Sequence, residues 1–368
     1  MASDPTPNAE LEELLKLRDA IDDIDERVLQ LISERARVAH RIGEIKHGNI
    51  YRPEREAQVL RRLEGNNPGP LPAHAVKTVF REIMSHCLAL EQPLTVAFLG
   101  PAGTFSESAA RRHFGSAPAL LPFSTIDDVF RAVEAGNASY GVVPVENSTE
   151  GAVGRTLDML LSTTQMICGE VMLRVEQHLM SRDTPLAAVR CVYSHAQSLA
   201  QCHEWLNRNL PGVPVIAVAS NAEAARRAAE EERAAAIAGE AAARVYGLNV
   251  LSANIEDDPA NTTRFLVMGE HDAGPSGRDK TSLVFTVQNR AGAVVSLLQP
   301  LADEGVSMTK LQSRPVRGFG NGGWQYVFYV DIEGHQNEPA VTKAIARIRA
   351  EAGSLKVLGS YPVSVSGS

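Results

Sequence analysis

Between Leu11 and His47 the chain has no proline and one glycine, Gly43, and its apolar residues recur at the three- and four-residue spacing of one helical face. Leu14, Leu17, Ile21, Ile24, Val28, Leu31, Ile32, Val38, Ala39 and Ile42 make up that stripe. Such a helix is about 55 Å long, more than a compact domain can cover by itself. The stripe is not purely apolar. At roughly 100° per residue, Arg35 and Lys46 project within about 40° of Ile21 and Arg18 stands at the edge, whereas Arg27, Arg37 and Arg41 point elsewhere. A cation on a buried face is costly unless an anion lies beside it. Two readings are open from this segment alone. Carboxylates of other helices pair with the cations, or their stems snorkel to water; alternatively, arginine forks line a pocket for a dicarboxylate.

The next helices weigh on that choice. Arg52-Pro53 opens a second helix that runs to about Leu63, with proline in its favoured first-turn place. Val59, Leu60 and Leu63 form its apolar side, and one turn earlier that side carries Arg55 and Glu56. Past the turn-rich segment Gly65 to Pro72, a third helix spans Ala73 to about Glu91. Its face of Val76, Val79, Phe80, Ile83, Met84, Cys87 and Leu88 continues onto Glu91. Cations outnumber carboxylates in this set. Mutual pairing would leave buried positive charge, so an anionic ligand is the better reading.

At 368 residues the chain has material for two or three domains. A net charge of -8 and a pI near 5.7 leave no electrostatic footprint for nucleic acid or an anionic membrane. No apolar run reaches the roughly 18 residues of a membrane span. Cys87, Cys168, Cys191 and Cys202 show no metal-ligand spacing and, without a signal peptide, are expected to be reduced thiols of a cytoplasmic chain. No metal and no cofactor are expected. Residues 1–10 form a polar leader expected to be disordered.

Residues 11–92 resemble the all-helical chorismate mutase domain, and the chain as a whole resembles the bifunctional chorismate mutase/prephenate dehydratase family of phenylalanine biosynthesis. The resemblance implies an all-α domain over residues 1–92 that binds its substrate through Arg18, Arg35, Lys46, Arg52, Arg55, Glu56, Cys87 and Glu91. It also implies a homodimer in which the first helix is exchanged, Arg18 reaching into the partner's pocket; pairing of dimers into tetramers stays open. A Claisen rearrangement needs no acid, base or nucleophile. It needs a folded substrate conformer and stabilised charge on the breaking ether oxygen. In this assignment Arg18 and Arg35 hold carboxylates, Lys46 and Glu91 are the catalytic groups facing the ether oxygen, and Glu56 takes the ring hydroxyl. Glu91 replaces the Gln of several relatives and must be protonated to donate.

After Gln92-Pro93 the pattern turns strand-like. Thr95–Leu99 is a short buried strand followed by the loop Gly100-Pro-Ala-Gly103-Thr104-Phe-Ser106 at a helix start, either a simple capped turn or an anion site. Strands at Tyr140–Val145, Ile167–Leu173, Val189–Tyr193, Val215–Val218, Ala235–Ala238 and Phe265–Met268 alternate with helices, an α/β pattern with a mainly parallel sheet expected. Polar clusters follow several strands, where open α/β sheets bind ligands. Residues 94–272 resemble the prephenate dehydratase domain, a two-lobed fold similar to periplasmic binding proteins. The resemblance rests on Thr263-Arg264-Phe265, the Gly-Pro-x-Gly-Thr-Phe-Ser loop, Glu146-Asn147-Ser148-x-x-Gly and Ser194-His195-x-Gln197. By that resemblance Thr104, Asn147, Ser148, Thr149, Ser194, His195, Gln197, Thr263, Arg264 and Phe265 bind prephenate. Thr263 is then the catalytic group assisting departure of the hydroxyl, and Arg264 orders the cleft or holds a carboxylate.

His271 to Asp279 is a linker by composition. Residues 280–368 follow the order β-α-β-β-α-β, ferredoxin-like α+β, with the glycine cluster Gly318–Gly323 as a hairpin. The unit is similar to an ACT regulatory domain. Gly292-Ala293-Val294-Val295 and Ser313-Arg314-Pro315 match the segments that bind phenylalanine as effector, with Gln312 where relatives carry Glu. The reading is thus a multidomain enzyme, a mutase (isomerase) and dehydratase (carbon-oxygen lyase). It takes chorismate to prephenate and prephenate to phenylpyruvate under feedback by phenylalanine. An arogenate-preferring dehydratase and a non-catalytic ligand sensor are the alternatives.

Overall fold

In the computed structural model, residues 7–45, 51–287, 291–316 and 325–364 are described. Three helices come first: α1 (Pro7–Ile45), α2 (Pro53–Gly65) and α3 (Ala73–Glu91). The expected leader is shorter than thought, because residues 7–10 already belong to α1; residues 1–6 lie outside the described residues. At 39 residues α1 is about 58 Å long. Its N-terminal half is bare: every side chain from Glu10 to Leu31 is exposed, Leu17 at 59% and Ile21 at 56%. Among the described residues, the helix becomes partly buried in its C-terminal part, where it packs against α3.

The middle domain opens with β1 (Thr95–Leu99), α4 (Phe105–Phe114), β2 (Ala119–Phe123), α5 (Ile126–Glu134), β3 (Tyr140–Asn147), β4 (Gly151–Ala152), α6 (Gly154–Ser162) and β5 (Met166–Arg174), the first lobe. The chain crosses to a second lobe with β6 (His178–Ser181), β7 (Cys191–His195), α7 (Ala196–Gln201), α8 (His203–Asn209) and β8 (Val215–Val218). That lobe continues through α9 (Asn221–Glu230), β9 (Ala234–Ala238), α10 (Glu240–Tyr246) and β10 (Asn249–Ser252) before β11 (Thr262–Gly269) returns to the first. The first sheet runs β2-β1-β3-β11-β5 with β4 on β3, and the second β10-β6-β9-β7-β8.

The mainly parallel sheet expected from the alternation of strands and helices is not what forms. Both sheets are mixed: β1 is parallel to β2 and β3, and β7 to β8 and β9, but β11 is antiparallel to β3 and β5, as β6 is to β9 and β10. The cause is the return crossing. A strand re-entering from the other lobe inserts head-to-tail between its neighbours instead of completing a β-α-β unit.

The last domain is β12 (Asp279–Thr286), α11 (Ala293–Asp303), β13 (Met308–Val316), β14 (Gln325–Glu333), α12 (Pro339–Glu351) and β15 (Ser354–Pro362). Its sheet order β13-β14-β12-β15, antiparallel throughout, is the ferredoxin-like arrangement expected. The Gly318–Gly323 hairpin lies outside the described residues. One apolar core joins the first lobe to this domain, with Leu157, Leu160 and Leu266 against Tyr329, Leu358 and Tyr361. Another draws Tyr51, from the segment before α2, in among Phe114, Tyr140 and Val267. The linker is tied down as well. Arg61 of α2 donates to the carbonyls of Ser276 (3.0 Å) and Arg278 (3.1 Å).

Candidate active sites

The C-terminal part of α1, the start of α2 and the end of α3 enclose an open hollow of about 380 Å³. Of the predicted set, Arg35, Arg52, Arg55, Glu56, Cys87 and Glu91 all line it. Lys46 lies outside the described residues. Arg18 is not brought there: it sits on the bare half of α1, exposed within the single chain. Arg62 lines the hollow too, two turns along α2 from Arg55, a spacing that could have flagged it. The wall therefore carries four arginines against Glu56 and Glu91. Arg52 is paired with Glu54, whereas Arg35 Nη1 is buried with no hydrogen-bond partner among the described residues. Leaving a buried guanidinium N–H unmet costs about 1–3 kcal/mol, so the hollow favours an anion.

Glu56 is partly buried, and Arg81 of α3 stands 3.5 Å from its carboxylate. Burial raises the Glu56 pKa to about 7 against the opposing charge of Arg81. Glu91 lies over Gly43: a Cβ there would come within 2.9 Å of Glu91 Cγ and Oε2.

A second cavity of about 540 Å³ separates the two lobes of the middle domain. The first lobe supplies Thr104, Asn147, Thr263 and Phe265, and the second His195 and Gln197, all from the predicted set. Ser106, the last residue of the glycine-loop motif, and Ser198, next to Gln197, line it as well, as do Gln177, Ser220 and Asn221, which lie between the motifs and carried no sequence signal. Thr263 and Asn147 are cross-strand partners on β11 and β3. Asn147 Oδ1 accepts from Thr149 N (3.0 Å), Thr149 Oγ1 (2.6 Å) and Glu150 N (3.2 Å), which fixes the amide orientation. Its Nδ2 then donates to Thr263 Oγ1 at 2.9 Å, so the threonine hydroxyl accepts from behind and keeps its proton for the cleft.

Ser148, Thr149 and Ser194 stand one layer back. Ser148 Oγ accepts from Thr262 N (3.0 Å), Thr149 braces Asn147, and buried Ser194 donates to Asn221 Oδ1 (3.0 Å) or Ile237 O (2.8 Å). In the glycine loop, Gly103 N is already taken by Glu107 Oε2 at 2.7 Å, so that amide serves the turn. The starts of α4, α6, α7 and α9 converge on the cavity, and among the described lining residues none is lysine or arginine.

Arg264 departs from expectation. Alternation along β11 sends it to the opposite face from Thr263 and Phe265. There Nε binds Glu170 (2.8 Å), Nη1 Asp331 (2.5 Å) and Nη2 the Tyr361 hydroxyl (2.9 Å). Burial pushes its pKa down, but Tyr361, Asp331 and Glu170 more than compensate and raise it above the ordinary arginine value. It does not line the cleft; it clamps the last domain to the strand that carries Thr263.

In that last domain Gly292 adopts a left-handed φ of 75° before α11, Ala293 is buried and Val295 is exposed, while Val294 follows in the first turn of α11. Ser313, Arg314 and Pro315 lie on the edge strand β13. Arg314 reaches Asp158 of α6 at 3.0 Å, and Lys310 binds Glu146, beside Asn147, at 2.7 Å. Among the described residues no cluster of metal-ligating side chains occurs, and no helix is long and apolar enough to cross a membrane.

Three family models match the chain in order: chorismate mutase type II over residues 17–92, prephenate dehydratase over 96–273 and the ACT domain over 281–350. The chain is 53% identical over 356 residues to the bifunctional chorismate mutase/prephenate dehydratase of Neisseria gonorrhoeae, covering 96% of this chain and 98% of that one. It is 49% identical over 366 residues to the protein of the same name from Pseudomonas aeruginosa (97% and 100% covered). Among solved structures, a prephenate dehydratase from Arthrobacter aurescens in complex with L-Phe matches with a TM-score of 0.67 and 31% identity, covering 73% of this chain and 90% of that one.

Proposed function

The chain belongs to the bifunctional chorismate mutase/prephenate dehydratase family, and from that premise we propose which residues perform each reaction and how the copies assemble. It is an enzyme with a mutase domain, a dehydratase domain and an ACT regulatory domain. The observation that carries the mutase assignment is the uncompensated charge of the helical hollow, where Arg35 Nη1 is buried without a partner among the described residues. Arg35, Arg55 and Arg62 hold the carboxylates of chorismate in the folded conformer. Glu56 accepts from the ring hydroxyl and protonated Glu91 faces the ether oxygen together with Lys46, while Arg18 of the partner subunit holds a carboxylate. The carbon-oxygen bond breaks as the carbon-carbon bond forms, and no group is transferred to the protein.

Prephenate then binds between the lobes. Its two carboxylates meet helix starts, amides and hydroxyls in place of side-chain cations. The Thr263 hydroxyl, oriented by Asn147, donates to the departing ring hydroxyl. One proton is taken up, water and carbon dioxide leave, and phenylpyruvate remains. Threonine is a weak acid, and aromatisation supplies the driving force. The bare stripe of α1 supports a homodimer with exchanged first helices, since an apolar face this long is not left in water. Phenylalanine acts on the ACT domain as feedback inhibitor, and the enzyme works in the cytoplasm.

The test is an assay of both steps from chorismate, with and without phenylalanine, on the wild type and Thr263→Ala. The variant should lose dehydration by about 10²-fold or more and keep mutase activity. Undiminished phenylpyruvate formation would reject the role of Thr263.

A further inference from the structure

Glu56 stands on a partition. One side faces the mutase hollow; the other faces a narrow cavity where the mutase helices, the first lobe and the chain end meet. Arg81 lines that second cavity and not the hollow, so it reaches Glu56 from behind, out of the substrate's way. The two side chains are 19% exposed each, and Arg81 Nε stands 3.5 Å from Glu56 Oε1 as an ion pair. A carboxylate this sheltered from water needs a neighbouring cation to remain an anion. Only the anion gives the strong, charge-assisted hydrogen bond to a hydroxyl.

We propose that Arg81 is a positioning residue of the mutase: from behind Glu56 it keeps that carboxylate charged and turned toward the ring hydroxyl of chorismate. The inference rests on the role given to Glu56 above. Arg35, Arg52, Arg55 and Arg62 on the hollow wall and Arg112 in the second cavity add further positive charge. Burial and Arg81 push His113 down to about 3, burial lifts Tyr51 well above its ordinary value, and Cys168 is pushed up to about 12. Glu170 is engaged by Arg264 and Lys280. Cys87 and Glu91 remain on the hollow wall; in the role proposed above Glu91 acts protonated, which puts its limb on the alkaline side of the profile.

Without Arg81, the acid limb of kcat/KM for chorismate should move upward from about pH 7. The ratio of Arg81→Met to wild type cancels the Glu91 limb common to both. It should be at least about tenfold below unity near pH 6 and climb toward unity as pH rises, by up to tenfold per unit. Arg81→Lys should recover most of the loss. In a Glu56→Gln background, removing Arg81 should cost nothing further. The dehydratase activity of each preparation reports whether the chain has folded. If Arg81→Met does not fold, Arg81→Gln takes its place. A ratio that does not change with pH, or an additive loss in the Glu56→Gln background, overturns the proposal. Wild-type mutase activity in Glu56→Gln alone would instead overturn the role of Glu56.

Discussion

A glycine inside an exposed helix costs about 1 kcal/mol against alanine, and α1 contains one, Gly43. The cost has a local reason. Glu91 of α3 lies on the bare backbone there, and a Cβ would stand 2.9 Å from its Cγ and 3.1 Å from its Cβ. These atoms sit near the root of the side chain and cannot swing aside while the carboxyl stays in place. Gly43→Ala should therefore strengthen the isolated helix yet displace Glu91. A shift near 1 Å at a reacting group costs about 10²-fold. We expect mutase kcat to fall by at least tenfold with the melting temperature and dehydratase rate nearly unchanged; a variant with wild-type kcat would show that Glu91 is not held in this way. Arg264 teaches the same lesson from a strand. Motif adjacency suggested that it shares the cleft with Thr263, whereas the two-residue period of β11 puts neighbours on opposite faces.

At the scale of elements, α1 is the part whose structure is unfinished in one chain. Its stripe is exposed over the half that carries Arg18, while its other half builds the hollow with Arg35. An exchanged pair of helices has a consequence that no single-chain site shares. Arg18→Ala and Arg35→Ala should each be inactive as mutases. Unfolded, mixed and refolded together, they should recover about a quarter of wild-type activity, since half of the dimers are hybrids and one of two symmetry-related pockets in each is intact. No recovery on mixing would place both arginines in the same chain's pocket. The three helices were legible because their 3.6-residue period is long and uninterrupted. Three short strands, β2, β6 and β10, were not. All four residues of β6 are buried, leaving no alternation to detect, and β2 and β10 are short edge strands. The cleft was half legible for a related reason. Residues within contiguous motifs stood out, but Gln177 and Asn221 reach it only because two lobes fold toward each other.

On the scale of the whole molecule, the three domains are not beads on a string. Tyr51, directly before the mutase residues of α2, is buried in the core of the first lobe, where its hydroxyl meets His113 Nε2 at 2.9 Å. The ACT sheet grips α6 at both ends. Arg314 binds Asp158 and packs on Gly154, and Lys356 caps the helix through Leu160 O at 3.0 Å. Shared cores predict loss of both activities in one transition, and the junction at His113 indicates how acid should trigger it. Burial and Arg81 hold this half-buried imidazole down at about 3, against about 6.5 when unfolded. Above pH 6.5 both states are neutral and His113 makes no demand. Between 6.5 and about 3 the unfolded chain takes a proton that the native one refuses, so stability falls as pH drops, by up to about 1.4 kcal/mol per unit. Thermal unfolding from pH 8 to 5 should therefore show a steeper acid decline in the wild type than in His113→Gln, which keeps a polar partner for Tyr51 without a group to charge. Mutase and dehydratase activities should disappear at the same temperature in each. Parallel slopes would acquit His113, and a mutase half that outlived the dehydratase would mean that the buried Tyr51 does not bind their fates together.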